Sequence, residues 1–199
     1  MNAVLETIAA RCEVSSFAIR TERPSDVAAR EALLDASFGA GRLARTCQRL
    51  RDGRKPAEGL ALTTIAKRKL IGTVRLWHVS AGGVPALALG PLAVAASHRS
   101  LGVGAALMKR ALELAQAHGH GAVILLGDAP YYARFGFSAL KTADLLLPGP
   151  FERDRLLAVE LREAALEGAS GLIVPTGARV SRARRHHARE VARPMPRAA

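Results

Sequence analysis

The sequence predicts an α/β (α+β) domain with a mixed, mostly antiparallel central sheet flanked by helices. Three observations point to it. β-rich runs at 60–66, 70–79 and 85–94 are separated by the turns Lys67, Arg68, Lys69 and Ala81, Gly82, Gly83, which read as successive hairpins. Residues 105–118 carry Ala106, Leu107, Leu112 and Leu114 at helical spacing, and Gly119 and Gly121 end that run. Residues 122–126 are wholly apolar, as in a strand buried on both faces.

The other elements follow in order. Residues 3–11 suit a short helix with Val4, Leu5 and Ile8 on one face. Phe17 to Arg20 reads as a short strand. Pro24 or Ser25 then opens a helix whose apolar stripe is Val27, Leu33, Leu34 and Phe38, ended by Gly39 and Gly41. A second, strongly basic helix is expected over 42–51, with Asp52 and Gly53 turning the chain. Gly90 and Pro91 interrupt the third strand. Proline cannot donate to a ladder, so a bulge or splay is expected there. A short helix over 130–135 ends at Gly136, and strands follow at 156–161 and 172–174. The expected organisation is an N-terminal extension (1–15), one domain (16–174) and a basic, disordered tail (175–199).

Charge narrows the function classes. The formal net charge is +12, but residues 175–199 hold seven arginines against one glutamate, which is half of it. A mildly basic body suits a small polyanionic ligand as well as a nucleic acid. Aromatic residues make up only 4% of the chain, which argues against base-stacking platforms. Cys12 and Cys47 sit in no metal-ligand pattern and read as free thiols, and no metal is expected. No secretory signal and no apolar run of spanning length is present in the sequence, so a cytoplasmic protein without membrane contact is expected.

The informative segment runs from Leu92 to Gly104 as strand, short loop with two glycines, and helix. A helix start offers unpaired N–H groups and the positive end of the macrodipole. Gly102 and Gly104 remove Cβ where main chain must approach phosphate oxygens. The loop is neither a Rossmann fingerprint, since Leu107 stands where glycine is needed, nor a Walker A loop. Taken alone, the glycines also fit a tight strand-to-helix turn with no ligand.

With its context the chain resembles the GNAT (Gcn5-related) N-acetyltransferase superfamily over about residues 16–162. Arg99, Ser100, Leu101, Gly102, Val103 and Gly104 fit its [QR]xxGx[GA] loop, and Tyr132 to Phe137 fits YxxxGF. Leu89 to Val94 with Gly127 to Tyr132 is most similar to its YhbS-like branch. The resemblance implies the GNAT acyl-CoA N-acyltransferase fold, with the strand ending at Val94 splayed from strand 122–126. It implies acetyl-CoA as co-substrate, with pantetheine pairing to backbone groups of Leu92 and Val94. Backbone N–H groups of Arg99, Ser100, Leu101, Gly102, Val103, Gly104 and Ala105 would hold the pyrophosphate. Tyr132 would protonate the departing thiolate, its bland alternative being a core tyrosine. Tyr131 reads as a packing or substrate-wall residue.

The implied reaction is acetyl transfer to a primary amine by direct attack, since no Cys or Ser lies in a nucleophile-elbow pattern. Asp128 is expected to cap the helix at Pro130 rather than orient the amine. The candidate bases are His78, His98, Glu58 and Glu31, with attack through water also open. His78 reads rather as a half-buried strand residue, and Trp77 as strand packing. Six cations over 42–58 (Arg42, Arg45, Arg49, Arg51, Arg54, Lys55) against Asp52 and Glu58 favour an acceptor that also bears a carboxylate or phosphate. A solvated face, or contact with the CoA 3′-phosphate, is the alternative. The competing functions are a nucleic-acid-associated basic protein and a non-catalytic acyl-CoA sensor. The tail is expected to contact polyanions weakly. The protein is expected to be a monomer or homodimer.

Overall fold

A computed structural model describes residues 17–180. The helix expected over 3–11 and the arginine-rich segment from 181 lie outside the described residues. The elements, in chain order, are β1 (Ala18–Thr21), α1 (Val27–Phe38), β2 (Ala61–Ala66), β3 (Lys69–Ala81), β4 (Val84–Leu89), β5 (Ala93–Val94), α2 (Val103–Ala117), β6 (Ala122–Leu126), α3 (Ala129–Ala133), β7 (Leu145–Leu146), β8 (Leu156–Glu160) and β9 (Gly171–Pro175). This is the expected mixed α/β arrangement. The main sheet runs β1-β2-β3-β4-β6-β8, and every pairing along it is antiparallel except β4 with β6.

β3 organises the sheet. Its first half pairs β2 from Ala61 opposite Arg75, and its second half pairs β4 from Leu76 opposite Leu89. On the edges that remain, β3 receives β5 at Gly72 and Thr73, and β9 at Val79 to Ala81. The turn into β3 puts Lys67 and Arg68 in the left-handed region, as a tight hairpin requires.

Strand alternation sorts the core onto two faces. Val123, Leu125 and Leu157 join Leu107, Met108, Ala111 and Ala115 of α2 beneath one face. Ala122, Ile124, Leu156 and Ala158 join Leu50, Leu145 and Ile173 on the other. β6 is therefore buried on both sides, as its all-apolar sequence implies.

Two sequence expectations need correction. The segment expected as a basic helix over 42–51 is two 3-10 turns, Ala40–Ala44 and Thr46–Leu50, separated by Arg45 in an extended conformation. Tertiary bonds take over the polar groups there. Thr46 donates its hydroxyl to the Pro150 carbonyl at 2.5 Å, and Arg49 donates to the Pro148 carbonyl. Leu50 is pinned in the second core. In α1 the buried positions are Arg30 and Leu34, while Val27 is exposed. Arg30 sits where an apolar stripe would place a hydrophobe because Glu22, at the end of β1, is buried against it, and Arg75 of β3 pairs with the same carboxylate.

The paired backbone also continues beyond Pro175. Lys55 donates to Ala178 at 2.7 Å and Val180 donates to Gly53 at 2.8 Å. Among the described residues no helix is long and apolar enough to cross a membrane.

Candidate active site

The site begins where β4 and β6 part. They pair in parallel at Leu87–Val123 and Ala88–Ile124, and the pairing stops there. The chain then passes through Gly90 and a cis peptide bond to Pro91, and β5 joins β3 instead. Gly90 is held on both sides: its N–H donates to Arg75 (2.7 Å) and its carbonyl accepts from Trp77 Nε1 (2.6 Å). The expected splay is thus present, with Trp77 acting as a tie as well as a packing residue.

Ala95 donates to Ile71 of β3 at 2.8 Å. Peptide groups alternate in direction along a strand, so the N–H and C=O of Val94, and those of Leu92 before it, turn away from β3 toward the gap. The Val94 carbonyl meets Arg99 Nε at 3.4 Å.

Beyond β5 a 3-10 turn at Ala96–His98 leads into the glycine loop. Ser100 (φ 63) and Gly102 (φ 80) are left-handed, and Gly102 caps α2. Left-handed residues in such loops turn successive N–H groups into one concavity suited to anions. Ala106 is bonded back to Gly102, so Val103, Gly104 and Ala105 open the helix with N–H groups that have no intrahelical acceptor. A Cβ on Gly104 would lie 3.1 Å from the Tyr131 hydroxyl and 3.6 Å from Val94. Tyr131 therefore stands beside this loop, with the Arg134 guanidinium 4.5 Å from its ring centre.

Tyr132 faces the other way, into a cleft of about 540 Å³ that includes the gap. Its ring packs edge-on against Tyr131 (4.9 Å) and Phe137 (5.9 Å). Gly127 leaves room for it, since a Cβ there would lie 2.2 Å from the ring. Burial pushes the Tyr132 phenol up to about 12, with Tyr131 and Asp128 adding to the shift. Asp128 occupies the N-cap position of α3, but its side chain makes no cap bond, so capping is not its role.

None of the four candidate bases lines the cleft. His78 lies against His120, ring centres 5.3 Å apart and planes tilted by 56°, and His98 meets Ser97. Glu58 is exposed. Glu31 is clasped by Arg30 and Arg42: burial pushes its carboxyl up, but the hydrogen bonds from the two guanidinium groups outweigh this and hold it below its ordinary value. The carboxylate that does line the cleft, among the described residues, is Glu152, 3.4 Å from Arg155. No motif marks Glu152; only the return of residues 147–156 over the sheet brings it there.

The six cations of 42–58 meet different fates. Arg42 is paired with Glu31 and Asp35, and Arg49 and Arg54 donate to the carbonyls of Pro148 and Gly177. Arg45 lies over the Phe38 ring, and Lys55 is exposed. Arg51 turns into the cleft beside Cys47, and its Nε is buried without a hydrogen-bond partner.

Comparison with known proteins gives the family and the fold. The profile of the Acetyltransferase (GNAT) family matches residues 27–137. The uncharacterized N-acetyltransferase YhbS of Escherichia coli K12 is 31% identical over 157 residues, covering 78% of this chain and 93% of that protein. The crystal structure of Escherichia coli YhbS in complex with CoA superposes with a TM-score of 0.70 at 30% identity, over 80% of this chain and 89% of that one. A GNAT family acetyltransferase from Brucella melitensis in complex with acetyl-CoA gives 0.55 at 26% identity, over 77% and 99%. The chain belongs to the GNAT family of acetyltransferases.

Proposed function

We propose that this protein transfers an acetyl group from acetyl-CoA directly to a primary amine, with Tyr132 as general acid. The observation that carries the reading is the gap between β4 and β6, which opens between the backbone of Leu92 and Val94 and the ring of Tyr132 and borders the glycine loop. The CoA and acetyl-CoA complexes of the two relatives support it.

Acetyl-CoA supplies a thioester whose acetyl carbon the amine attacks, forming the C–N bond as the C–S bond breaks. The main-chain N–H groups from Ser100 to Ala105 bind the pyrophosphate, where the absence of Cβ at Gly104 leaves room, while the expected Arg99 N–H is bonded to the Ala96 carbonyl at 3.4 Å. Leu92 and Val94 orient the pantetheine as an added strand would, and Arg99 releases the Val94 carbonyl to allow it. Tyr132 gives its phenolic proton to the leaving sulfur, and water returns a proton to the phenolate. The apolar surroundings that raise the phenol also disfavour a bare thiolate, so the proton moves toward sulfur as the bond breaks. The proton lost by the amine leaves through water at the cleft mouth, where Glu152 stands.

Direct attack fits the cleft better than an acyl-enzyme. Cys47 lies in the wall, but burial pushes its thiol up, only partly offset by Arg51, which makes it a poor nucleophile.

The test is binding followed by turnover. Acetyl-CoA at about 100 times its Kd should stabilise the fold by about 2.7 kcal/mol, read as a rise in Tm. Gly104→Val, whose side chain meets Tyr131, should abolish the rise and leave the domain folded. A protein whose Tm ignores millimolar acetyl-CoA is not an acetyl-CoA enzyme. Release of CoA with a panel of amines then measures transfer.

A further inference from the structure

Arg51 lines the cleft and forms no ion pair among the described residues. It follows Leu50, which is 3% exposed in the core, and its own N–H closes the 3-10 turn onto Gln48 at 2.9 Å. Its backbone is therefore fixed. Its guanidinium faces the cleft, with Nη1 beside Gly90, where the strands part. Cys47, Trp77 and Leu89 line the same cleft and carry no charge, and Asp52, whose carboxylate does bear on Arg51, is hydrogen-bonded to Gln48 instead. Elsewhere on the same wall Arg42 holds Glu31 and Asp35, Arg155 holds Glu152, and Arg45, which has no ion pair, is exposed and lies over the Phe38 ring.

The Nε–H of Arg51 is buried without a hydrogen-bond partner, which is costly and which natural interiors rarely tolerate. Burial pulls the Arg51 pKa down, as expected of a cation short of compensation. Such a group suits a ligand that brings the missing charge. The planar fork of a guanidinium matches a carboxylate through two parallel N–H···O bonds, and one cation balances one carboxylate. The residues from Arg99 to Gly104, which would hold the phosphates of the acyl donor, do not line this cleft. The pantetheine arm that would pass Leu92 and Tyr132 in the same cleft is uncharged, so the charge that Arg51 lacks is left for the acceptor to bring.

Resting on the reading above, we propose that Arg51 anchors a carboxylate of the acceptor, so that the substrate is an amine carrying a carboxylate, such as an amino acid. Arg51 holds one end and the amine reaches the thioester near Tyr132, which lines the same cleft. Arg51 contacts substrate away from the reacting atoms, so its effect falls on KM and on selectivity.

The experiment uses the full chain, acetyl-CoA, the common amino acids, the same amino acids as primary amides, and phosphoethanolamine. CoA release should favour an amino acid over its amide. Arg51→Met should lower kcat/KM for the acid about 10- to 100-fold, mainly through KM, and bring the acid-to-amide ratio near one. Arg51→Lys should recover part of the ratio. Removing an uncompensated buried charge is neutral or stabilising, so Arg51→Met should keep or raise Tm. An amide used as well as its acid, a ratio that survives Arg51→Met, or a preference for phosphoethanolamine over every amino acid overturns the proposal. If no amine is turned over, N-acetyl amino acids are titrated into the CoA-bound protein and followed by the fluorescence of Trp77, the one tryptophan, which shares the cleft with Arg51. A signal that is saturable, needs the carboxylate and disappears in Arg51→Met supports the proposal; its absence in the wild type overturns it. A Tm rise with acetyl-CoA but no carboxylate dependence defeats this inference alone, whereas no rise removes the acetyl-CoA reading beneath it.

Discussion

The indole Nε1 of Trp77 donates to the carbonyl of Gly90 at 2.6 Å, across the point where β4 leaves β6. This bond fixes the mouth of the gap from the β3 side. Trp77→Phe keeps the apolar bulk and leaves that carbonyl without its donor. The expected cost is about 1–3 kcal/mol in urea unfolding. Acetyl-CoA affinity should fall as well, measured by calorimetry, because Leu92 and Val94 lie just beyond Gly90. Stability lost with affinity intact would separate the tie from the site.

Tyr132→Phe should lower kcat by about 10²-fold while acetyl-CoA binds nearly as before, because the hydroxyl acts when charge develops on sulfur. With its phenol pushed up to about 12, Tyr132 stays protonated throughout the working range. The rate should therefore rise with pH as the acceptor amine loses its proton and show no fall from Tyr132 below about pH 11. An unchanged kcat in the variant removes the residue from the mechanism.

Asp26 is held at about 2, chiefly by hydrogen bonds from Arg20 and also by the backbone N–H of Arg23. The folded value lies below the unfolded one, so its stabilisation is present above the ordinary carboxylate value and is lost as pH falls through about 2. Asp26→Asn should lower Tm near neutrality, and the gap from wild type should close toward pH 2. A gap that does not change with pH would show that charge is not the cause.

The arginines beyond Val180 should give salt-sensitive, sequence-blind binding to nucleic acid and nothing to acetyl transfer. A chain ending at Val180 keeps the bonds to Gly53 and Lys55. It should retain kcat and lose the affinity for DNA that the full chain shows at about 50 mM salt. Retained DNA binding would place the basic surface within the domain.

The two motifs were legible because their chemistry is local. The glycines and the helix start of residues 99–105 lie in one short stretch, and the resemblance that singles out Tyr132 rests on a short run after a buried strand. The same holds for β6, whose apolar run has one physical explanation. Arg51 was not legible as an individual. It differs from Arg42, Arg49 and Arg54 only in what other elements offer each of them: Glu31 and Asp35 of α1, the Pro148 carbonyl, the Gly177 carbonyl. Arg30 broke the expected stripe of α1 for a similar reason, since its partner Glu22 lies on another element. The 3-10 form of residues 40–50 likewise depends on carbonyls about a hundred residues away.

The strap formed by residues 176–180 bears on how the protein is made. Arg54 reaches Gly177 across 123 positions of sequence, and the flanking backbone bonds of Gly53 and Lys55 span similar distances. A chain emerging from the ribosome can pair β1 to β6 and form the glycine loop long before those partners exist. The wall that carries Arg51 cannot be fastened until they arrive. The first six strands and the glycine loop can therefore take shape during synthesis before the strap reaches the wall that carries Arg51.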